Sequence, residues 1–311
     1  MIRPPFLQPG QQVGLMAMAS RLDYETLRPS LRILRDEWQL EVVEGESLQS
    51  SHYQFAGDDF VRGRDLQQML DNPDIRAVFS ARGGYGSYRI LDQLDFTQFL
   101  KAPKWIIGFS DITVLHCHLH RMGVQSLHAI MPKLFGTEGA EESIETLRRL
   151  LFGEPVDPYT SPADSLNRPG TASGQLVGGN LTLLTHTLCT PSDVDLSGKI
   201  LFIEDIDETL YSVDRMMIQF RRSGRLAGLA GLVVGQFSEM RINESAPFGK
   251  TVNEIIAEQV AGFDFPVCFN FPVGHVPRNL AMPVGRVAQL EVTEAGSRLL
   301  FGETTAGPPR Q

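Results

Sequence analysis

Cysteine is scarce in this chain, and its scarcity excludes a good deal. The 311 residues hold three, Cys117, Cys189 and Cys268. An odd number at wide spacing builds no disulfide framework, and without a CxxC pair there is no zinc pair either. A reducing compartment is the expectation. Long apolar runs are missing too, since no stretch approaches the roughly 20 residues that a membrane-spanning helix requires. Basic residues are outnumbered, 28 Lys and Arg against 37 Asp and Glu, for a net charge of −9. No basic stripe is available to displace counterions from a phosphate backbone, which argues against nucleic acid as a partner. There is no internal repeat.

The composition that remains, 42% hydrophobic and 21% charged, is that of an ordinary globular protein. The length suits two domains, each able to bury a core. Near the start, "VGLMAMAS" (13–20) ends in Ala17-Met18-Ala19, a faint likeness of a signal-peptide cleavage site. The run barely reaches the length of a signal core, and the residues before it carry a single arginine. It reads better as a first buried strand, and a cytoplasmic location is expected.

Strand and helix patterns then alternate. A helix is predicted over 22–37, interrupted by Pro29, and another over 59–70, with Val61, Leu66, Met69 and Leu70 on one spacing and the arginines and aspartate elsewhere. "IRAVFSA" (75–81) and "KWIIGF" (104–109) read as strands, and "SYRILDQL" (87–94) begins a helix. Beyond Ser110, Ile112, Leu115, Leu119 and Met122 recur at spacings of three and four, the mark of an amphipathic helix. Such alternation implies a parallel sheet covered by helices on both faces, with function in the loops at the carboxyl ends of its strands. The predicted fold is therefore α/β. An N-terminal parallel-sheet domain (1–155) is followed by a Pro/Ser/Asp-rich linker (156–172) and a smaller C-terminal α/β domain (173–311). In the latter, "SGQLVGG", "KILFIED", "GLVVGQF" and "FPVCFNF" read as strands, 180–189 as a helix, and 286–302 as two strands joined by a Gly-containing turn. The tail "TTAGPPRQ" is read as disordered.

One short stretch poses the chemical question. In "IIGFSD" (106–111) a buried strand ends at a serine. A serine where a parallel strand turns into a helix exposes its hydroxyl above the sheet, while the next N–H points at the same spot. The second glycine of G-x-S-x-G is absent, because Ile112 stands there. On the motif alone a Ser-Asp pair is more often a helix N-cap than a catalytic group. A nucleophile needs a base, and the base an orienting acid. "HCHLH" (116–120) suggests a metal cluster, but alternate residues of a helix lie about 200° apart, so the three histidines cannot converge on one ion. His275, on the Gly/Pro-stiffened loop "FPVGHVPRN", is a plausible base. Among the acids of "LFIEDIDETLYSVDR", Glu204 directly follows the apolar run 200–203; the others read as helix caps or solvated groups. The glycine loop "ARGGYGSYRIL" (81–91) is neither a P-loop nor a dinucleotide fingerprint. It reads either as a second oxyanion donor or as a simple tight turn.

Together, "FAGDDFVRGRDL", "RGGYGSYRIL", "WIIGFSDITVLH", "GQLVGGNLTLLTHTLCTP", "LFIEDIDETLYSVDRMMIQF" and "FPVGHVPRN" resemble, in order, the successive motifs of the LD-carboxypeptidases. These serine peptidases include muramoyltetrapeptide carboxypeptidase and the microcin C self-immunity peptidase. The resemblance implies a flavodoxin-like N-terminal domain, a second smaller α/β domain, and a homodimer. It further implies a triad of Ser110, Glu204 and His275, with an oxyanion hole from the backbone N–H groups of Asp111 and Gly84. The implied reaction removes the terminal D-Ala from murein tetrapeptides during peptidoglycan recycling, with no cofactor and no metal. A same-fold hydrolase of a peptidyl- or aminoacyl-nucleotide toxin is the alternative within the family; a zinc peptidase or a two-domain binding protein is the alternative outside it. Arg82 and Arg278 are candidate partners for the substrate carboxylate, and Tyr85 and Asn180 for further substrate contacts. "HAIMP" (128–132) and "GLMAMAS" depart from the usual family motifs, so both are expected near the substrate pocket. With Glu204 and His275 across the linker from Ser110, domain motion could gate catalysis.

Overall fold

Alternate residues along the inner strands of the first half point to opposite faces of a sheet, and both faces are buried. In the computed structural model, which describes residues 1–302, strands β1 (Gln12–Met16), β2 (Glu41–Glu44), β3 (Ile75–Ser80), β4 (Trp105–Gly108) and β5 (Ser126–His128) are parallel neighbours in the order 2-1-3-4-5. That is the flavodoxin order, whose ligand crevice opens at the carboxyl ends of the strands. Phe79 and Ile107 pack into one core cluster, Val78 and Ile106 into the other, as a two-sided parallel sheet demands. The covering helices are α1 (Arg28–Arg32), α2 (Asp59–Asp71), α3 (Ser87–Leu91), α4 (Thr97–Lys101), α5 (Thr113–Arg121) and α6 (Glu141–Phe152). The helix predicted over 22–37 is instead a 3₁₀ turn, α1 and a π turn, with Pro29 in the first turn of α1, where its missing N–H costs nothing.

The second sheet has seven strands: β6 (Tyr159–Pro162), β7 (Gly170–Asn180), β8 (Ile200–Ile206), β9 (Gly231–Ser238), β10 (Val267–Cys268), β12 (Val287–Thr293) and β13 (Gly296–Phe301), in the order 10-9-8-7-12-13-6. Helices α7 (Leu181–Thr187), α8 (Leu210–Arg222) and α9 (Val252–Val260) belong to this half. Of the strand read over 265–271, only Val267 and Cys268 pair, because Pro266 and Pro272 bracket them and cannot donate to a ladder. The tail read as disordered lies outside the described residues.

Two sequence boundaries need correction. The expected linker holds β6, an edge strand paired with β13, and also the start of β7, from Gly170 to Ala172. Strand β11 (Met282–Val284), though drawn from the C-terminal half, pairs antiparallel with β5 and closes the edge of the first sheet. The chain thus leaves the second sheet at Cys268, runs past His275, joins the first sheet at Met282 and returns at Val287. The His275 loop is held at both ends, by a different sheet at each.

Candidate active site

Strand β4 ends in extended backbone at Phe109 (φ −148°, ψ −171°), and the next residue, Ser110, has φ +62°. A non-glycine residue in the left-handed region costs on the order of 1–3 kcal/mol and persists only where its surroundings enforce it. From Ser110 a 3₁₀ turn through Ile112 leads into α5. This is the strained strand-to-helix corner that a nucleophile elbow requires, despite Ile112 in the place of the second glycine.

The glycine loop lies against this corner. A Cβ on Gly83 would stand 3.1 Å from Ser110 Cβ and 3.3 Å from its Oγ, so a side chain there would fit only if its neighbours gave by a few tenths of an ångström. Gly84 has φ +107°, and neither its N–H nor that of Asp111 donates to another described group. Two features hold the loop. The buried Asp111 carboxylate accepts the Ser87 N–H at 2.7 Å, which ties the serine corner to the start of α3. Burial pushes the Asp111 pKa upward, and the hydrogen bonds from Ser87 oppose the shift. Arg62, fully buried, donates to the carbonyls of Met18 and Gly86, each at 2.8 Å, and pairs with Asp59. The sequence pattern had placed Arg62 outside the apolar face. Two carbonyls and a carboxylate are what allow it to be inside.

From the second sheet, Glu204 on β8 is fully buried, and its Oε2 lies 2.7 Å from His275 Nδ1. Burial disfavours the His275 imidazolium, but the hydrogen bond and charge of Glu204 outweigh it, and the pKa is raised. The His275 ring packs on Phe109, with centroids 4.7 Å apart. No described bond joins Ser110 Oγ to the ring; Phe109 links the two. The halves meet closely because Gly179 (φ +142°) lets β7 abut the start of α5, where a Cβ would come 2.5 Å from Thr113 Oγ1. At the same point the Asn180 N–H donates to that Thr113 hydroxyl at 3.0 Å.

The histidines of "HCHLH" take separate partners. His116 bonds Ser126 Oγ and the Gly108 carbonyl, both at 2.8 Å, while His118 bonds Ser192 Oγ at 3.0 Å. Beside His275 a cavity of about 250 Å³ is lined by Phe109, Ile130, Leu134, Val276 and Pro277 among others, all uncharged. Ile130 comes from the "HAIMP" segment. His128, at the start of that segment, is instead fully buried, packed on Phe109 and Phe202. Its pKa is held well below the usual value by burial. The end of "GLMAMAS" reaches the site through Ser20, whose Oγ accepts the Tyr85 N–H at 3.3 Å.

Comparison with known proteins decides the family. Residues 13–129 match the LD-carboxypeptidase N-terminal domain and 173–290 the LD-carboxypeptidase C-terminal domain. The chain belongs to the LD-carboxypeptidase family. A probable murein peptide carboxypeptidase of Bacillus subtilis is 35% identical over 296 residues, covering 94% of this chain and 92% of that protein. The murein tetrapeptide carboxypeptidase of Pseudomonas aeruginosa is 32% identical over 300 residues, covering 93% and 94%. The crystal structure of muramoyltetrapeptide carboxypeptidase from Oxalobacter formigenes superimposes with a TM-score of 0.85 at 29% identity, covering 94% of this chain and 99% of that one.

Within this LD-carboxypeptidase the remaining candidates separate. Asn180 is buried, and its side chain is fully engaged. Oδ1 caps α7 by accepting the Leu183 N–H at 3.1 Å, and Nδ2 donates to Asp205 at 2.7 Å. It caps α7, a role that the sequence reading of Asn180 as a substrate contact did not include. Asp205, read as a helix cap or a solvated group, is buried beside Glu204 and caps α7 through the Thr182 N–H at 2.9 Å. Burial and the charge of Glu204 push its pKa up to about 6. Arg278 makes two bonds to Glu142, at 2.6 and 2.9 Å, so its fork is already occupied. Arg82 donates to the Arg21 carbonyl at 2.6 Å and has no carboxylate partner among the described residues. Tyr85, half exposed on the glycine loop, packs on Phe55. Arg62 escaped the sequence reading, although its place within "FAGDDFVRGRDL", one of the quoted motifs, was a usable signal.

Proposed function

We propose that this protein is a serine LD-carboxypeptidase that removes the terminal D-Ala from murein tetrapeptides during peptidoglycan recycling in the cytoplasm, as a homodimer. One observation carries the reading. A serine in a left-handed backbone conformation, at the carboxyl end of a parallel strand, directly follows Phe109, on whose ring packs a histidine bonded through Nδ1 to a buried glutamate. The names of the relatives supply the substrate class.

Ser110 Oγ attacks the amide carbonyl that joins an L-configured centre to the terminal D-residue. His275 accepts the serine proton and returns it to the leaving amine, while Glu204 holds the ring and stabilises the imidazolium. The N–H groups of Asp111 and Gly84 receive the oxyanion, each donor contributing about 3–4 kcal/mol where such donors have been removed by mutation. Water then hydrolyses the acyl-enzyme. The test is to incubate the protein and Ser110→Ala with disaccharide-tetrapeptide, with and without EDTA, and follow D-Ala by mass spectrometry. Release by the unaltered protein alone, indifferent to EDTA, is expected. Equal release by both proteins would overturn the serine mechanism, and silence from both would overturn the substrate class in favour of aminoacyl-nucleotides.

A further inference from the structure

A peptidase that acts only at a chain end must detect the free carboxylate there, and the cations around the serine corner are not equivalent. Arg62 and Arg89 both pair with Asp59, and Arg278 pairs with Glu142. A guanidinium already held in this way has little left to offer an incoming anion. The apolar cavity beside His275 has no charged side chain in its lining other than His275 itself. Neither place suits a carboxylate.

Arg82 and Lys133 differ from these. Arg82 directly precedes Gly83, the residue pressed against Ser110. Lys133 is brought to the same loop by its backbone, which donates to the Ala81 carbonyl at 3.0 Å. Both side chains are half-buried, and among the described residues neither has a carboxylate within ion-pairing distance. Arg82 uses one nitrogen on the Arg21 carbonyl and keeps the rest of its donor fork uncommitted. Burial lowers the pKa of both groups, and for Lys133 the charge of Arg82 adds to the effect. Two half-buried like charges that feel each other, with no acid paired to either among the described residues, are stabilised by an anion that bridges them. The turn that carries Lys133 also supplies Met131, which would meet a Cβ on Gly83 at 3.4 Å, and Leu134, which lines the cavity beside His275. It therefore runs from the nucleophile to the base.

We infer that Arg82 and Lys133 together form the receptor for the free α-carboxylate of the substrate's terminal residue. The inference rests on the carboxypeptidase reading and assigns the exopeptidase specificity of that site. A planar fork and a point charge are a suitable pair for one carboxylate, because the guanidinium fixes its plane and the ammonium reaches the second oxygen.

The test compares two substrates, the tetrapeptide and its C-terminal carboxamide, on the unaltered protein, Lys133→Met and Lys133→Arg. Labelling of Ser110 by a fluorophosphonate serves as a control that the serine corner is intact. For the free acid, Lys133→Met should raise KM by about 10- to 100-fold, as expected for losing a charge-assisted hydrogen bond, with kcat changed little. The carboxamide should show no such change, and Lys133→Arg should restore most of the loss. If acid and carboxamide weaken together, or neither changes, the receptor is not there. If the unaltered protein releases no terminal residue from either substrate yet labels normally, the carboxypeptidase reading fails and takes this inference with it.

Discussion

Asp111 Oδ2 accepts the Ser87 N–H at 2.7 Å, and this bond fastens together the two loops proposed to supply the oxyanion donors. Asp111 contributes its own N–H at the serine corner, while its side chain holds the helix that follows Gly84. Replacing it with alanine leaves a buried N–H without an acceptor, at a cost of about 1–3 kcal/mol. Asp111→Ala should lower both the melting temperature and kcat. Asp111→Asn keeps an acceptor oxygen and should retain most of the stability. Thermal unfolding and steady-state kinetics on the two variants separate these effects, and equal losses in both would show that the carboxylate charge matters rather than the bond.

Gly83 offers a sharper probe of the proposed nucleophile. Its backbone does not occupy the left-handed region, so alanine is compatible with the chain path. The new methyl would sit 3.1 Å from Ser110 Cβ and 3.4 Å from Met131 Cε, tighter than ordinary contact. Gly83→Ala should displace the serine by a few tenths of an ångström and lower kcat by about 10- to 100-fold, in line with the sensitivity of positioned reactions to small misplacements. The melting temperature should move little. A variant with normal turnover would mean that the glycine loop is not held rigidly against Ser110.

The parts of the site that could be read from the sequence lie at the ends of strongly patterned elements. Ser110 closes an apolar run, Glu204 follows another, and His275 stands on a loop stiffened by glycine and proline. The framework around them was harder to read because it depends on partners far away in the chain. Strand β11 is three residues inside a Gly/Pro-rich stretch, and only its pairing with β5 makes it a strand. Strand β6 hides in a segment whose prolines suggest a linker, and an edge position tolerates Pro162 at its end. Arg62 and Asp65 on α2 are buried against expectation, since a helical pattern marks apolar positions and carries no sign that carbonyls wait for a guanidinium. Lys133 likewise lies in an unpatterned turn, and its relation to Arg82 exists only in three dimensions.

Asn180 illustrates how a motif residue can be retained for architecture. Its amide caps α7 and satisfies Asp205, whose other oxygen takes the Thr182 backbone. Asn180→Ala should cost about 1 kcal/mol for the lost cap, and somewhat more because the buried Asp205 Oδ1 keeps only the Ile206 N–H as a donor. The melting temperature should fall by several degrees, while KM for the tetrapeptide stays within about twofold. A raised KM with unchanged stability would return Asn180 to the substrate.

The link between Glu204 and His275 makes the most direct prediction about pH. In the proposed mechanism His275 must be neutral to accept the serine proton, and its pKa is raised because the hydrogen bond and charge of Glu204 outweigh the cost of burial. The rise of kcat/KM with pH should therefore centre above about 6.5, the ordinary histidine value. Glu204→Gln removes the charge, so the rise should move to lower pH, while the plateau falls by about 10³- to 10⁴-fold if the glutamate orients the ring as such acids do elsewhere. Stability should follow the same linkage. A raised pKa in the folded state stabilises the protein fully below the unfolded value, and that contribution disappears as pH rises through the folded value. The gap in melting temperature between the unaltered protein and Glu204→Gln should thus be widest below pH ~6.5 and narrow above it. Urea or thermal unfolding at several pH values, alongside the rate profile, measures both effects. A pH profile that does not move in Glu204→Gln would mean that some other group sets the charge of His275.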